Sequence, residues 1–258
     1  MDYRNTKAKV NDYMRNLKMT IQYDGGRYKG WQRQKEGEST IQWKIENVLK
    51  RMTGEEIQVI GCGRTDAGVH AENYIANFHT ESELSVETMM DYLYEFLPED
   101  IVVKSIKDTT ERFHARYNAK GKTYVYRINN AEVRNVFNRK YAYHTSVKLN
   151  LDAMREGAKY LVGTHDFQSF TSQKPKTKST ERHIKYININ KTGDMIEIEV
   201  DGNGFLWNMV RIIVGTLLEV GMGHMKPSDV KRILEEKKRS ESGPIAQAKG
   251  LCLKEVHY

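Results

Sequence analysis

The stretch TIQWKIENVLKRMTGEEIQVIGCGRTDAGVHAENYIANFHT (Thr40 to Thr80) decides the fold. Its first part places Ile41, Ile45, Val48, Leu49 and Met52 on one stripe at helical spacing, and Gly54 supplies the stop. The apolar runs IQVI and NYIANFHT then read as strands, joined by the glycine-rich loop Gly61 to Ala71. Upstream, LKMTIQY (Leu17 to Tyr23) alternates like a strand. Downstream, SVETMMDYLYEFLP reads as a helix with caps at Ser85 or Thr88 and a stop at Pro98, and DIVVKSIKD as a strand. The order is β-α-β-β-α-β.

The second half repeats that order. KTYVYRIN is a strand, and NLDAMREGAKYLVG (Asn150 to Gly163) a helix ended by glycine. HIKYININ and DMIEIEVD flank KTG as a hairpin with alternation on both arms. FLWNMVRIIVGTLLEVG is an apolar helix, PSDVKRILEEKKR a charged one, and GLCLKEVHY a closing strand. Two such units predict an internally duplicated α+β protein, its seam inside Asp108 to Gly121.

A chain of 258 residues, 39% hydrophobic and 29% charged, has a soluble globular composition and is long enough to bury a real core. It contains no apolar run long enough to span a membrane, and its first residues do not read as a signal peptide. Cys62 and Cys252 stand far apart without CxxC spacing, so a reducing cytoplasm is the simpler reading. The net charge of +7 favours a polyanionic partner and makes nucleic acid a leading candidate. In SFTSQKPKTKSTERHIK, Lys174, Lys176, Lys178, Arg182 and Lys185 lie among serines and threonines around Pro175. That segment reads either as a solvated loop or as an arm that contacts phosphates.

The loop GCGRTDAGVHA lacks both the dinucleotide fingerprint and the P-loop signature, and Cys62, Asp66 and His70 match no common metal spacing. What remains is Asp66 on a tight strand-to-strand loop beside Arg64, whose guanidinium would favour the ionised carboxylate. Such an aspartate could attack or accept a proton, or could merely cap backbone amides in an Asx-type turn. The residues alone leave both open.

Four stretches in order, YDGGRYKGWQRQ, GRTDAGVHA, FHARYNAKGKTYVY and GNGFLWNMVRIIVGTLLEVG, resemble the tRNA pseudouridine synthase A family from about Leu17 to the end. The resemblance implies the pseudouridine synthase fold: two ferredoxin-like halves, 17–110 and 111–258, around a mostly antiparallel sheet with an active-site cleft. Residues 1–16 form an extension outside it. It implies isomerisation of uridine to pseudouridine at tRNA positions 38, 39 and 40 of the anticodon arm, without cofactor or metal. It also implies a homodimer that touches one tRNA with both subunits. Asp66 matches the catalytic aspartate, Tyr124 the tyrosine that stacks on the flipped base, and Arg64 the loop arginine that meets the flipped nucleotide. Arg211 matches the arginine that pairs with the aspartate. His70 could act as a second acid or base or simply bond to backbone, while Trp31 and Tyr126 read as structural. The chain departs from the family pattern at Gln247, where proline is frequent, and at Trp207 and Asn208, where histidines often stand. An RNA-binding module of duplicated RRM-like units is one rival, although the strands carry no RNP sequence, and a pseudouridine synthase acting on other tRNA or rRNA uridines is a second.

Overall fold

A computed structural model describes residues 14–34, 39–172 and 179–258. Most of the 1–16 extension, together with Lys174, Lys176 and Lys178, therefore lies outside the described residues. The first unit runs β1 (Arg15–Tyr23), α1 (Ile41–Thr53), β2 (Ile60–Gly61), β3 (His70–Thr80), α2 (Val86–Phe96) and β4 (Ile101–Asp108). The second runs β5 (Gly121–Asn129), β6 (Tyr143–His144), α3 (Leu151–Lys159), β7 (Gly163–Asp166), β8 (Glu181–Thr192), β9 (Met195–Gly202), α4 (Met209–Gly221), α5 (Pro227–Glu236) and β10 (Leu251–His257).

Local chemistry sets the helix ends. Thr40 and Ser85 accept backbone N–H groups at the starts of α1 and α2, and Asn150 does so for α3. Each cap is worth about 1 kcal/mol. Gly54 closes α1 in the left-handed region at φ 77°, a conformation that costs a glycine nothing. In α1 the expected stripe faces inward: Ile41, Ile45 and Leu49 are fully buried and Val48 nearly so. α3 ends at Lys159, earlier than the expected stop, because Gly163 instead opens β7 at φ 109°.

All ten strands form one sheet, with β4-β1-β3-β10-β5-β9-β8-β7 as its main path and β2 and β6 attached to β3 and β5. Within it the order 4-1-3-2 appears twice, as β4-β1-β3-β2 and as β10-β5-β9-β8. The units join where β10 runs parallel to β3, pairing Cys252 with His70 and Leu253 with Ala71; the other main-path pairings are antiparallel.

The expected strand IQVI is mostly not a strand; only Ile60–Gly61 joins the ladder. The buried carboxylate of Glu46 on α1 accepts the Val59 N–H at 2.9 Å, and the Gln42 side chain donates to the Val59 carbonyl at 3.1 Å. Helix side chains thus satisfy the backbone that a ladder would otherwise pair. Since β1 covers one edge of β3 along most of its length, β2 and β10 must share the other edge.

Paired residues project to the same face, so Tyr23, Ala71, Leu253, Tyr124 and Val200 form one row across the sheet. On that face lie Leu17, Met19 and Ile21 of β1 and Tyr126, Ile128, Ile196 and Ile198 of the second unit, all fully buried. The opposite face carries charge, as where Arg127 bridges Glu72 and Glu197.

Candidate active site

The loop from Gly61 to Val69 folds down on the YDGGRYKGW segment. The Trp31 N–H donates to the Thr65 carbonyl at 3.1 Å, the Gly68 N–H to the Tyr28 carbonyl at 3.4 Å, and the Val69 N–H to the Asp66 carbonyl at 3.1 Å. Beneath it the Tyr23 hydroxyl shares a hydrogen bond of 2.8 Å with Thr65 Oγ1, and the Tyr74 hydroxyl donates to the Gly63 carbonyl. Trp31 stacks on Tyr74 with ring centroids 3.9 Å apart, the structural role expected of it. Two glycines of the facing segment are obligatory. A Cβ on Gly25 would lie 1.9 Å from the Val69 carbonyl oxygen, and one on Gly30, at φ 90°, would lie 2.5 Å from that of Thr65. The backbones meet there with no room for a side chain.

This bracing leaves the Asp66 side chain 28% exposed, and the Arg211 guanidinium reaches its Oδ2 at 3.4 Å. Arg211 sits in the first turn of α4 and is itself anchored twice more, by Nε on the Ala246 carbonyl at 2.8 Å and by Nη1 on Asn208 Oδ1 at 3.0 Å. The Ala246 N–H returns a bond to the Arg211 carbonyl at 3.1 Å. α4 can lie this close to the 244–246 strand of chain because residue 215 is glycine; a Cβ there would lie 1.8 Å from the Pro244 carbonyl oxygen. The crowding around Arg211 thus yields a paired, mostly buried cation rather than a snorkelling one.

Tyr124 enters from β5 and is 8% exposed, edge-on to Phe205 at 5.4 Å. Burial pushes its phenol far above the ordinary value, with Cys62 and then the Asp66 charge adding to the shift. It is therefore a neutral hydroxyl within electrostatic reach of Asp66, and its oxygen has no hydrogen-bond partner among the described residues. Tyr126 is fully buried and donates to the Gln247 carbonyl at 2.9 Å, in keeping with a packing role. Lys122, two residues before Tyr124 on the same face, donates to the Cys62 carbonyl at 2.9 Å, and burial lowers its pKa.

The sequence places Arg64 beside Asp66, but the two do not pair. Arg64 is exposed and makes no hydrogen bond or ion pair among the described residues. Arg182 lies on β8 with Nη1 turned back on the Ser179 and Glu181 carbonyls. His70 is bonded to backbone: Nδ1 accepts the Gly25 N–H at 3.1 Å and Nε2 faces the Lys140 carbonyl at 3.1 Å. Accepting at Nδ1 requires a neutral ring with its proton on Nε2. Burial, which lowers the His70 pKa, outweighs the nearby Asp24 carboxylate, which raises it. The 3.0 Å approach of Asp24 Oδ1 to Nδ1 is accordingly not an ion pair in that state. A groove of about 520 Å³ lies beyond His70, lined by Asp24, Arg27, Arg127 and Tyr141 among others, and includes none of Asp66, Tyr124 and Arg211.

Asn208, Ala246 and Lys122 hold this arrangement without having been singled out for it in the sequence. Asn208, at φ 61°, is one of two non-glycine residues in the left-handed region among those described. It touches Arg211 and Ser172, not Asp66.

Residues 19–118 and 158–258 match the family model described as tRNA pseudouridine synthase. The chain belongs to this family. A tRNA pseudouridine synthase A 1 of Clostridium tetani is 66% identical over 245 residues, covering 95% of this chain and all of the relative. A tRNA pseudouridine synthase A 2 of Bacillus cereus is 48% identical with the same coverage, and a tRNA pseudouridine synthase A of Bacillus sp. KSM-64 is 49% identical. Membership makes the chain an isomerase. The family match includes the Asp66 loop, the first residues after Phe113 and the whole of α4, but not Tyr124.

Proposed function

We propose that the protein isomerises uridine to pseudouridine at positions 38, 39 and 40 of the tRNA anticodon arm, with Asp66 as nucleophile and no cofactor. The observation that carries this reading is the contact between Asp66 and Arg211 across 145 residues of sequence, in a chain whose full-length relatives are named for this reaction. A carboxylate that is partly exposed, braced from behind and paired on one side can face a sugar–base linkage.

The reaction breaks the N1–C1′ bond, turns the uracil and forms the C5–C1′ bond; C5 gives up its proton and N1 gains one. Asp66 could attack C1′, add to C6 of the base, or assist loss of the base through a glycal. All three use the carboxylate anion, which Arg211 orients through its 3.4 Å contact. Tyr124 is assigned to the flipped base. A buried hydroxyl without a partner costs about 1–3 kcal/mol, which a bonding group on the substrate would recover. Arg64, unengaged among the described residues, is assigned to the displaced nucleotide or its phosphate, and Arg182 to the RNA backbone with Lys174, Lys176 and Lys178. Flipping costs a few kcal/mol, which these contacts must offset.

Asp66→Asn should bind tRNA nearly as the wild type does and release no tritium from tRNA labelled at uridine C5. Release at the wild-type rate would remove Asp66 from the mechanism, and a protein that only bound RNA would release none in either form. We further infer two units at 17–110 and 111–258 and, from the family resemblance and the unpaired cysteines, a cytoplasmic homodimer; a solution mass equal to one 30.0 kDa chain would refute the dimer.

A further inference from the structure

The connection from β4 to β5 holds an aromatic pair that the proposed chemistry does not use. Its backbone is fixed from below by two buried asparagines. Asn16 Nδ2 donates to the Phe113 carbonyl at 2.9 Å, and the Ala115 N–H donates to Asn77 Oδ1 at 2.8 Å. The Tyr258 hydroxyl donates to the Ala115 carbonyl at 2.6 Å. Asn118 then closes the turn on His114 from both sides: its Oδ1 accepts the His114 N–H at 2.7 Å and its own N–H donates to the His114 carbonyl at 3.0 Å.

The His114 ring is oriented as well, because Nδ1 accepts the N–H groups of Arg116 and Tyr117 at 3.2 and 3.3 Å. The Tyr117 ring stacks on that imidazole with centroids 4.1 Å apart and planes 29° from parallel. Its other side faces water, for Tyr117 is 77% exposed. A single exposed tyrosine is ordinary. One held flat on a rigid turn, with Arg112, Arg116 and Lys120 exposed around it, has the composition of a single-strand RNA contact: a ring for a base and guanidinium groups for phosphates.

Its position agrees. The turn leads into β5, whose Lys122 amine is bonded to the Cys62 carbonyl at 2.9 Å, at the root of the Asp66 loop. Lys122 in turn shares its strand face with Tyr124. The turn that carries the exposed ring is thus continuous with the strand that meets the loop of the proposed nucleophile.

We propose that Tyr117, backed by His114, is a preformed stacking platform for an unpaired base of the RNA substrate other than the reacting uridine, with Arg116 taking the adjoining phosphate. The inference rests on the reading of the protein as a tRNA pseudouridine synthase. The rigid turn means that the ring is already placed before RNA arrives, so little ordering cost falls on binding.

The test compares Tyr117→Ala, Tyr117→Phe and Tyr117→Trp by tritium release from C5-labelled tRNA and by Kd for the same RNA. Loss of one base stack corresponds to a rise of about 5- to 150-fold in Kd and KM for the alanine variant, with kcat within twofold. Phenylalanine and tryptophan should restore wild-type binding. An abasic substitution scanned through the anticodon loop should reach one nucleotide at which wild type and Tyr117→Ala bind equally. The proposal is overturned if Tyr117→Ala binds like the wild type, if Tyr117→Phe loses as much as alanine, or if no abasic position abolishes the difference. If the wild type itself released no tritium, the reaction assignment would fail separately, because the binding arms would still read the platform.

Discussion

Arg211→Leu removes a guanidinium held at three points, and the consequences differ at each. At 3.4 Å from Asp66 Oδ2, two unit charges attract by about 5 kcal/mol at an effective dielectric constant near 20, before the cost of desolvating them. The net value of a hydrogen bond to a charged group is smaller, about 1.5–3 kcal/mol. If that interaction holds Asp66 as an oriented anion in the transition state, kcat should fall about 10- to 150-fold, while tRNA binding, which other groups dominate, should change little. Tritium release at saturating tRNA reads the first quantity and filter binding the second. The other two contacts predict a stability cost, because the Ala246 carbonyl and Asn208 Oδ1 each lose a donor. Leaving a part-buried acceptor unpaired costs at most about 1–3 kcal/mol, so the assay belongs well below the variant's melting temperature. Combining Arg211→Leu with Asp66→Asn separates the two effects: the stability loss should persist, while no catalytic loss remains to be seen. A folded Arg211→Leu protein with wild-type kcat would refute the pairing argument.

His70 predicts a pH dependence of stability. Its folded pKa lies below its ordinary value of 6.5, so the fold prefers the neutral ring. Its contribution is fully present above about pH 6.5 and is lost as the pH falls toward the folded value, where the unfolded chain binds the extra proton. Chemical denaturation between pH 5 and 7 should show stability rising with pH, and His70→Gln should flatten that slope; an unchanged slope would remove His70 as its cause. Gly25→Ala should destabilise sharply, because its Cβ would meet the Val69 carbonyl oxygen at 1.9 Å, and overpacking of this kind costs about 1–3 kcal/mol or more. A melting temperature equal to the wild type's would show that the two loops can separate without cost.

Much of the fold was legible because α1, α2 and the β8–β9 hairpin declare themselves locally, through caps, stripes and alternation, and α4 through its nearly continuous apolar run. What failed depended on contacts that spacing does not reveal. IQVI has the composition of a strand, but Glu46 and Gln42 on the preceding helix take over the backbone groups of Val59. β6 and β7, two and four residues long, are too short to show a period. At the site, neighbours in sequence misled: Arg64 adjoins Asp66 but is turned outward, whereas the arginine that pairs lies on α4, 145 residues away. The resemblance of the α4 stretch to a known family named the partner of Arg211, and the apolar neighbours Met209, Val210, Ile212 and Ile213 signalled only that its charge needed one. Nothing in composition marked Ala246, whose contribution is a backbone carbonyl.

The departure of the chain from the edge of β3 after Gly61 also explains how two similar units share one sheet. A β2 continued past Gly61 through the loop residues would occupy the free edge at the start of β3 and close the first unit as an independent four-stranded sheet. Because β2 pairs only with Asn77 and Ala76, the start of β3 is left open, and β10 enters there beside His70 and Ala71. The chain between β2 and β3 must then pass over that junction, which brings Asp66 to the boundary between the units. The row from Tyr23 through Ala71 and Leu253 sets Tyr124 at the same boundary from the other side, and the 244–250 segment leading into β10 carries the Ala246 carbonyl that holds Arg211. The end of β2 at Gly61, the seam and the grouping of Asp66, Tyr124 and Arg211 are therefore one structural fact. Extending β2 past Gly61 along β3 would exclude β10 from that edge and separate the three side chains.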